Sequence, residues 1–201
     1  MSKILYYNGF RLQKVRVFLM INSKISLREK SIVFIGFMGV GKTTVARIVA
    51  EKLYRTFIDI DKEIEKEFQL PIPKIFDQFG EQTFREKEKE IILKYTKERL
   101  KVISVGGGAF LQKEIKDACL ENCIVFHLDI SWDTWKDRLH MLIDSRPVLQ
   151  GKTMQEIESL FNDRKSIYSS HNSRVNTDHF DPEEAADYII ESLKLAWELY
   201  S

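Results

Sequence analysis

The segment from Gly36 to Thr43 reads GFMGVGKT, in which three glycines precede a lysine and a threonine. This spacing matches G-x-x-x-x-G-K-[ST], the phosphate-binding loop that joins a strand to a helix. Its glycines let successive backbone N–H groups point at phosphate oxygens, and the following helix N-terminus adds partial positive charge. In such loops the lysine reaches the β- and γ-phosphates and the hydroxyl binds Mg²⁺. The sequence therefore predicts that Lys42 and Thr43 bind a nucleoside triphosphate with magnesium, rather than forming a plain glycine-rich turn.

Two aspartates, Asp59 and Asp61, follow the next apolar stretch. If both are extended, their side chains point the same way. Carboxylates beside a phosphate loop can hold the waters of Mg²⁺ or accept the proton of an attacking hydroxyl. Asp61 could instead cap the next helix, and a solvent-facing turn explains the pair, taken alone, equally well.

Arg85 lies four residues after Glu81 and three before Glu88, so the three share one face of a predicted helix. One interpretation is an exposed ladder of ion pairs, which usually stabilises little. The other is an arginine held to grip an anionic substrate, because its rigid fork binds a carboxylate bidentately.

Three consecutive glycines, Gly106 to Gly108, follow another apolar stretch and precede a helical pattern. Glycine at a strand end often marks the close approach of a ligand to the backbone. An ordinary turn stays open as the alternative, although a turn needs only one glycine.

Predicted strands and helices alternate along the chain, and these elements must position the candidate residues. Five short β-branched runs are predicted strands: 32–35, 56–58, 102–105, 123–128 and 174–177. The segments between and after them have helical patterns: 42–54, 62–68, 82–99, 109–120, 131–143, 154–170 and 182–199. Alternation of this kind predicts an α/β fold, a parallel sheet wrapped by helices. Ligands should bind at the carboxyl ends of the strands.

Composition excludes several classes of protein. The 201 residues are 44% hydrophobic and 30% charged, with a net charge of +1, as in a globular protein of one domain. The near-neutral charge favours neither nucleic acid nor a membrane surface as partner. Two cysteines are too few for a disulfide framework, so a reducing, cytoplasmic setting is expected. No apolar run is long enough to span a membrane.

Six motifs occur in the order found in the shikimate kinase family, which the chain resembles from about Ser31 to Leu193. They read GFMGVGKTTV, DIDKEIE, IFDQFGEQTFREKE, GGGA, SRPVL and RKSIY. The resemblance implies a three-layer α/β/α P-loop kinase with a five-stranded parallel sheet, a substrate-binding helical segment and a lid at about 138–153. It also implies phosphorylation of the 3-hydroxyl of shikimate by ATP with Mg²⁺, in a monomer.

The resemblance also implies a role for each candidate residue. The catalytic set is Lys42, Asp61 and Arg146. ATP is bound by Gly39, Val40, Gly41, Lys42, Thr43, Thr44, Arg138 and Arg146. Shikimate is bound by Asp61, Arg85, Gly106, Gly107, Gly108 and Arg164. Magnesium is bound by Thr43 and, through water, by Asp59. Glu88 resembles the residue that orients the substrate arginine, and Arg138 matches by spacing alone.

Departures from the family pattern leave some questions open. Residues 1–30 have no counterpart, so they are an extension of uncertain role, or Met20 is the true start. The segment SSHNSRVNT, which follows RKSIY, replaces the family's usual acidic residue and alanine, which makes the adenine contacts less certain. A gluconate kinase on the same fold and a non-enzymatic relative that binds ATP or shikimate are the alternative functions.

Overall fold

The computed structural model describes residues 6–7, 10–11, 25–142 and 147–199. Two short antiparallel strands near the N-terminus pair with each other: β1 (Tyr6–Tyr7) and β2 (Phe10–Arg11). The main sheet has five parallel strands: β3 (Ile32–Ile35), β4 (Thr56–Asp59), β5 (Lys101–Ser104), β6 (Ile124–Asp129) and β7 (Ser173–Asn176). All five predicted strands are present, with ends that differ by at most one residue.

The strand order of the main sheet is β4-β5-β3-β6-β7, which places β3 in the centre. Ile32 lies opposite Val102 on one side and Ile124 on the other. All four residues of β3 are fully buried and apolar, as expected for a parallel strand covered on both faces. Asp59 and Ser104 are paired where their strands end, so polar side chains gather at the carboxyl edge.

In the described ranges seven α-helices surround the sheet: α1 (Lys42–Lys52), α2 (Ile60–Phe68), α3 (Ile72–Tyr95), α4 (Lys113–Asn122), α5 (Trp132–Lys136), α6 (Met154–Ile167) and α7 (Pro182–Leu199). Single 3₁₀ turns occur at Ala109–Leu111, Leu139–Met141 and Pro147–Leu149. Helix α1 packs against α7, and α3 packs against both α2 and α4. The predicted α/β class with a five-stranded parallel sheet is confirmed.

Helix α3 begins ten residues earlier than predicted. Pro73 lies in the first helical turn, where no backbone N–H is needed. Gly80 then kinks the helix with φ 79° and ψ 166°. The helix predicted over 131–143 was also too long, because α5 ends at Lys136. The helix predicted over 109–120 is a 3₁₀ turn followed by α4.

Residues just before β3 are attached to the domain. The Lys30 ammonium donates to the Glu121 carbonyl at 3.1 Å, and Arg55 donates to the carbonyls of Lys30 and Arg28 at 2.8 and 2.6 Å. Residues 28–30 therefore contact the body of the protein, and the division of the chain at residue 30 stays a prediction. None of the helices in the described ranges combines the length and apolarity that a membrane span requires.

Candidate active site

A cavity of about 340 Å³ lies at the carboxyl ends of β4 and β5, next to the loop that follows β3. Its volume is in the range typical of small-molecule sites. Most of the residues singled out from the sequence line it: Gly39, Gly41, Lys42, Thr43, Thr44, Asp59, Asp61, Arg85, Gly106, Gly107 and Gly108. Three of the remaining candidates, Val40, Arg138 and Arg164, are not among the lining residues. Val40 is instead buried in the core.

The loop after β3 has the backbone that its glycines predict. Gly39 and Gly41 have φ values of 76° and 96°, which side chains rarely adopt, and Gly41 immediately precedes α1. Lys42 is only 8% exposed, and its ammonium donates to the carbonyls of Gly36 and Phe37 at 2.9 and 2.8 Å. The loop therefore holds a cation against its own backbone, where a phosphate oxygen can exchange for a carbonyl.

Oxygen atoms from three elements meet beside this loop. The Thr43 hydroxyl donates to Asp59 Oδ2 at 3.1 Å and lies 3.4 Å from the Ser104 hydroxyl. An all-oxygen set of hydroxyl and carboxylate fits Mg²⁺, which prefers hard ligands and keeps several waters. Ser104 was not among the sequence candidates. Its signal was the single polar residue in the otherwise apolar stretch 102–105.

The two aspartates do not share an extended conformation, so the condition under which their side chains would point the same way is not met. Asp59 is extended, and its Oδ1 accepts a hydrogen bond from the Lys62 amide at 3.3 Å. Asp59 is thus the cap that starts α2, and Asp61 lies in the first helical turn rather than capping it. Both still line the cavity because that turn begins directly at the sheet edge.

Arg85 is held by both glutamates of its helix face. Its Nη1 donates to Glu88 at 2.8 Å, and its Nε and Nη2 both donate to Glu81 at 3.2 Å. The two glutamates differ, because the Glu81 side chain is 67% exposed and the Glu88 side chain only 1%. The ladder is therefore exposed at one end and buried at the end that faces the cavity.

Glu88 is a buried carboxyl among charged neighbours. Burial raises its pKa, an effect that the Arg85 guanidinium opposes and the charge of Asp61 reinforces. Gln112 also donates to Glu88 Oε2, at 3.3 Å. The other oxygen, Oε1, is buried and has no hydrogen-bond partner among the described residues.

The three glycines after β5 are each crowded by a different neighbour. A Cβ on Gly106 would lie 2.9 Å from Glu88 Oε1 and 3.3 Å from Asp61 Oδ1, and one on Gly108 would lie 2.8 Å from the Arg85 guanidinium. A Cβ on Gly107 would lie 3.2 Å from the Met38 amide of the phosphate loop. The groups that approach the backbone of these three glycines are thus the protein's own side chains and the phosphate-loop backbone.

Two of the remaining candidate arginines, Arg138 and Arg164, lie in the described residues. Arg138 Nη1 lies 3.5 Å from the Gly39 carbonyl, which places it beside the phosphate loop. Arg164 lies on α6, and its Nη1 is buried without a hydrogen-bond partner in the described part of the chain. Arg146 lies outside the described residues, as do residues 143–145 of the predicted lid. The lid residue Val148 lines the cavity.

An apolar wall of the cavity comes from α3 and was missed in the sequence. Ile72, Phe76 and Phe84 line it, and the rings of Phe76 and Phe84 lie 4.6 Å apart. Two of these residues precede residue 82, where the helix was predicted to begin. The helical spacing that aligns them, i to i+4 from Ile72 to Phe76, was the available signal.

The family model described as shikimate kinase matches residues 38–194 of the chain. The chain belongs to the shikimate kinase family. The shikimate kinase of Oceanobacillus iheyensis is 63% identical over 177 residues, which are 88% of this chain and 97% of that protein. That of Bacillus subtilis is 58% identical over 88% of this chain and 95% of the relative. Relatives of this kind are enzymes, and the chain is accordingly an ATP-dependent phosphotransferase.

Solved structures agree with this membership in the shikimate kinase family. The shikimate kinase of Acinetobacter baumannii in complex with shikimate aligns with a TM-score of 0.76 at 30% identity, covering 83% of this chain and 94% of that one. A gluconokinase of Sinorhizobium meliloti aligns with a TM-score of 0.54 at 18% identity, covering 85% of this chain and 95% of the other. The second likeness is one of fold alone.

Proposed function

We propose that this protein transfers the γ-phosphoryl group of ATP to the 3-hydroxyl of shikimate, forming shikimate 3-phosphate and ADP for chorismate and aromatic amino acid synthesis. One observation supports this proposal most strongly. A single cavity brings together the phosphate loop, two carboxylates and an arginine backed by a buried glutamate. These groups are needed to bind a nucleotide, to act on an attacking hydroxyl and to bind the carboxylate of a substrate.

The nucleotide end of the cavity is assigned to Lys42 and the loop amides around Gly39 to Thr44. Lys42 exchanges its two carbonyl partners for β- and γ-phosphate oxygens, since a phosphate offers it full negative charge. Thr43 directly and Asp59 through water would hold Mg²⁺, which supplies positive charge beside the transferring group. Arg138 and Arg146 are assigned to ATP from the family pattern.

The carboxylate of shikimate is assigned to Arg85 and Arg164. Arg85 is oriented by buried Glu88, and Arg164 has a buried nitrogen without a partner in the described chain. A carboxylate held by two arginine forks has its position and orientation defined, which aims the 3-hydroxyl at the γ-phosphorus. Positioning of this kind can supply roughly 7–11 kcal/mol of the barrier. Backbone around Gly106 to Gly108 borders the ring.

The chemical step is an in-line displacement. The 3-hydroxyl oxygen forms a bond to the γ-phosphorus while the bond to the β–γ bridging oxygen breaks, and ADP leaves with that electron pair. The hydroxyl proton passes to Asp61, a contribution typically worth about 10²–10⁴-fold for a general base. Lys42 and Arg146 neutralise charge on the transferring group, which the loose transition state places on its equatorial oxygens.

We further propose that the enzyme is a cytoplasmic monomer. Both cysteines, Cys119 and Cys123, are free and buried, in keeping with a reducing compartment.

A coupled ADP-release assay with ATP, Mg²⁺ and a panel of hydroxy acids tests the activity. We expect ADP release with shikimate, little with gluconate, and a new phosphate monoester at the 3-position by phosphorus NMR. Lys42→Met is the matched control, because it keeps most of the side-chain stem and removes the ammonium. Its turnover should fall at least about a hundredfold, the loss of more than 2.7 kcal/mol of transition-state stabilisation.

Three results would contradict the proposal. Faster turnover of gluconate than of shikimate would assign the chain to another acceptor. Tight binding of ATP and shikimate without turnover would indicate a sensor rather than an enzyme. Wild-type turnover in a folded Lys42→Met protein would remove the role of the phosphate loop.

A further inference from the structure

Tyr168 ends α6 and is 2% exposed. Its hydroxyl donates a hydrogen bond to the carbonyl of Gly107, 61 residues away in the chain. Burial raises the pKa of this phenol, so the hydroxyl keeps its proton and acts as a donor. A buried tyrosine hydroxyl normally has a partner of this kind. The bond joins the end of a helix directly to the glycine loop of the cavity.

Two histidines contact Tyr168. The ring of His127, at the carboxyl end of β6, lies 5.2 Å from the Tyr168 ring. Burial lowers the pKa of His127 to about 4, so this neighbour is neutral at physiological pH. Nδ1 of His171 lies 2.7 Å from the backbone carbonyl of Tyr168. These contacts therefore restrict the Tyr168 side chain and fix the position of its hydroxyl.

The two ends of this hydrogen bond are connected to the two arginines assigned to the substrate carboxylate. Arg164 lies one turn before Tyr168 on α6, close enough that its charge acts on the pKa of the phenol. Gly107 precedes Gly108, whose backbone lies against the Arg85 guanidinium. A single hydrogen bond thus joins the element that carries Arg164 to the loop that packs on Arg85.

We propose that Tyr168 is a positioning residue for substrate binding, which fixes the distance between Arg164 and the Arg85-backed glycine loop so that one carboxylate can contact both. This proposal rests on the proposed function. It assigns Tyr168 no contact with shikimate and no part in the chemistry. Its influence passes through the Gly107 carbonyl.

Tyr168→Phe tests the proposal, because it removes the hydroxyl and keeps the ring against His127. We expect the shikimate KM to rise about five- to thirtyfold, the effect of losing one hydrogen bond and leaving a carbonyl without its donor. The KM for ATP should stay within about twofold, since the phosphate loop keeps its own contacts. The change in kcat should be smaller than the change in shikimate KM.

Tyr95→Phe is the matched control. The Tyr95 hydroxyl donates to Glu63 at 2.7 Å, away from the cavity, so its loss also removes one tyrosine hydrogen bond. We expect this variant to keep the wild-type KM for both substrates. Thermal unfolding of both variants, with and without shikimate, separates lost stability from lost binding.

Several outcomes would overturn the proposal. A shikimate KM within twofold of wild type in Tyr168→Phe, with a lowered Tm, would reduce the residue to a structural role. An equal rise in the KM for ATP would show that the whole site, not the carboxylate clamp, had moved. If Tyr168→Phe does not fold, Tyr168→Met removes the same donor with a more adaptable side chain. Failure of both variants to fold would also count against a role in binding.

A different experimental result would contradict the proposed function itself. A wild-type protein that releases no ADP with shikimate removes both proposals at once. An active wild-type enzyme with an unchanged Tyr168→Phe variant removes only the role of Tyr168.

Discussion

Arg85 enters the cavity already paired with two carboxylates of its own helix. Buried Glu88 can keep its contact when substrate binds, whereas exposed Glu81 can yield its place to a substrate carboxylate. We expect Arg85→Lys to raise the shikimate KM at least about tenfold, because a single ammonium cannot replace the bidentate fork. The KM for ATP should change little. Steady-state kinetics with each substrate varied in turn measures both values.

Arg99→Lys is a suitable control for that substitution. Arg99 pairs with Glu29 at 2.7 Å, its side chain is 58% exposed, and neither residue lines the cavity. We expect wild-type kinetics in this variant. Weaker ATP binding with unchanged shikimate binding in Arg85→Lys would show that the arginine serves the nucleotide.

Asp61 is the residue on which the proposed proton transfer depends. Asp61→Asn keeps the shape and a hydrogen-bonding group but cannot accept a proton at neutral pH. If Asp61 is the base, kcat should fall about 10²–10⁴-fold, while shikimate Kd stays within about tenfold. If Asp61 mainly orients the hydroxyl, which keeps its proton until late in a loose transition state, kcat should fall less than about tenfold. Turnover rates and a direct binding titration distinguish the two.

Asp59→Asn is the companion variant, because Asp59 bonds Thr43 and caps α2. We expect it to weaken activity through Mg²⁺, with a raised magnesium requirement. A fully active Asp59→Asn protein beside an Asp61→Asn protein that binds no shikimate would contradict both assignments.

At the scale of an element, Gly80 kinks α3 five residues before Arg85, the arginine proposed to bind the substrate. Gly80 has φ 79° and ψ 166°, a conformation that is essentially restricted to glycine. Apart from the chain neighbours and the nearby backbone of α3 itself, no atom of the described residues lies within 4 Å of a Cβ built at Gly80, so Gly80→Ala adds strain without a clash. We expect a loss of about 1–3 kcal/mol in the free energy of unfolding and a raised shikimate KM. Urea unfolding measures the first effect and kinetics the second.

Glu90→Ala provides the comparison on the same helix. The Glu90 side chain is 69% exposed and pairs only with Lys87 among the contacts described for it. Its replacement should change stability by less than about 0.5 kcal/mol, as for most surface substitutions. A Gly80→Ala protein as stable as Glu90→Ala would mean that α3 straightens without cost.

At the scale of the whole molecule, buried His127 makes stability depend on pH. Burial lowers its pKa to about 4 in the folded protein, against about 6.5 when unfolded. The unfolded chain therefore binds a proton below about pH 6.5 that the folded protein does not bind until about pH 4. Stability should fall by about 1–2 kcal/mol from pH 7.5 to pH 5 on account of this residue. Urea unfolding across this pH range measures the fall.

His127→Phe isolates that contribution, because it retains a ring against Tyr168 and removes the titrating group. We expect a flatter pH profile in the variant. Glu88 acts in the opposite direction, since its raised pKa makes the folded protein bind a proton more readily than the unfolded chain. Glu88 is present in both proteins, so its contribution cancels when the pH profile of the variant's stability is subtracted from that of the wild type. Parallel profiles for the two proteins would show that His127 does not titrate as proposed.

Local features of this protein were determined by the sequence alone. The phosphate loop was predictable because its lysine, threonine and glycines lie within eight consecutive residues, so their spacing specifies their geometry. The parallel sheet was predictable because each apolar stretch is short and is followed by a helical pattern. The family motifs predicted which cavity residues would come together.

Contacts between distant segments were decided only by the tertiary structure. Spacing could not show that Asp59 rather than Asp61 caps α2, because either residue suits a helix start. Nor could spacing show that Gly106 lies against Glu88 and Gly108 against Arg85, because both of these side chains come from α3. A Cβ at either glycine would lie too close to them. The hydrogen bond from Tyr168 to Gly107 likewise joins segments that are far apart in the chain. Local spacing specifies backbone conformation, whereas partners 18 to 61 residues apart depend on how the helices pack against the sheet.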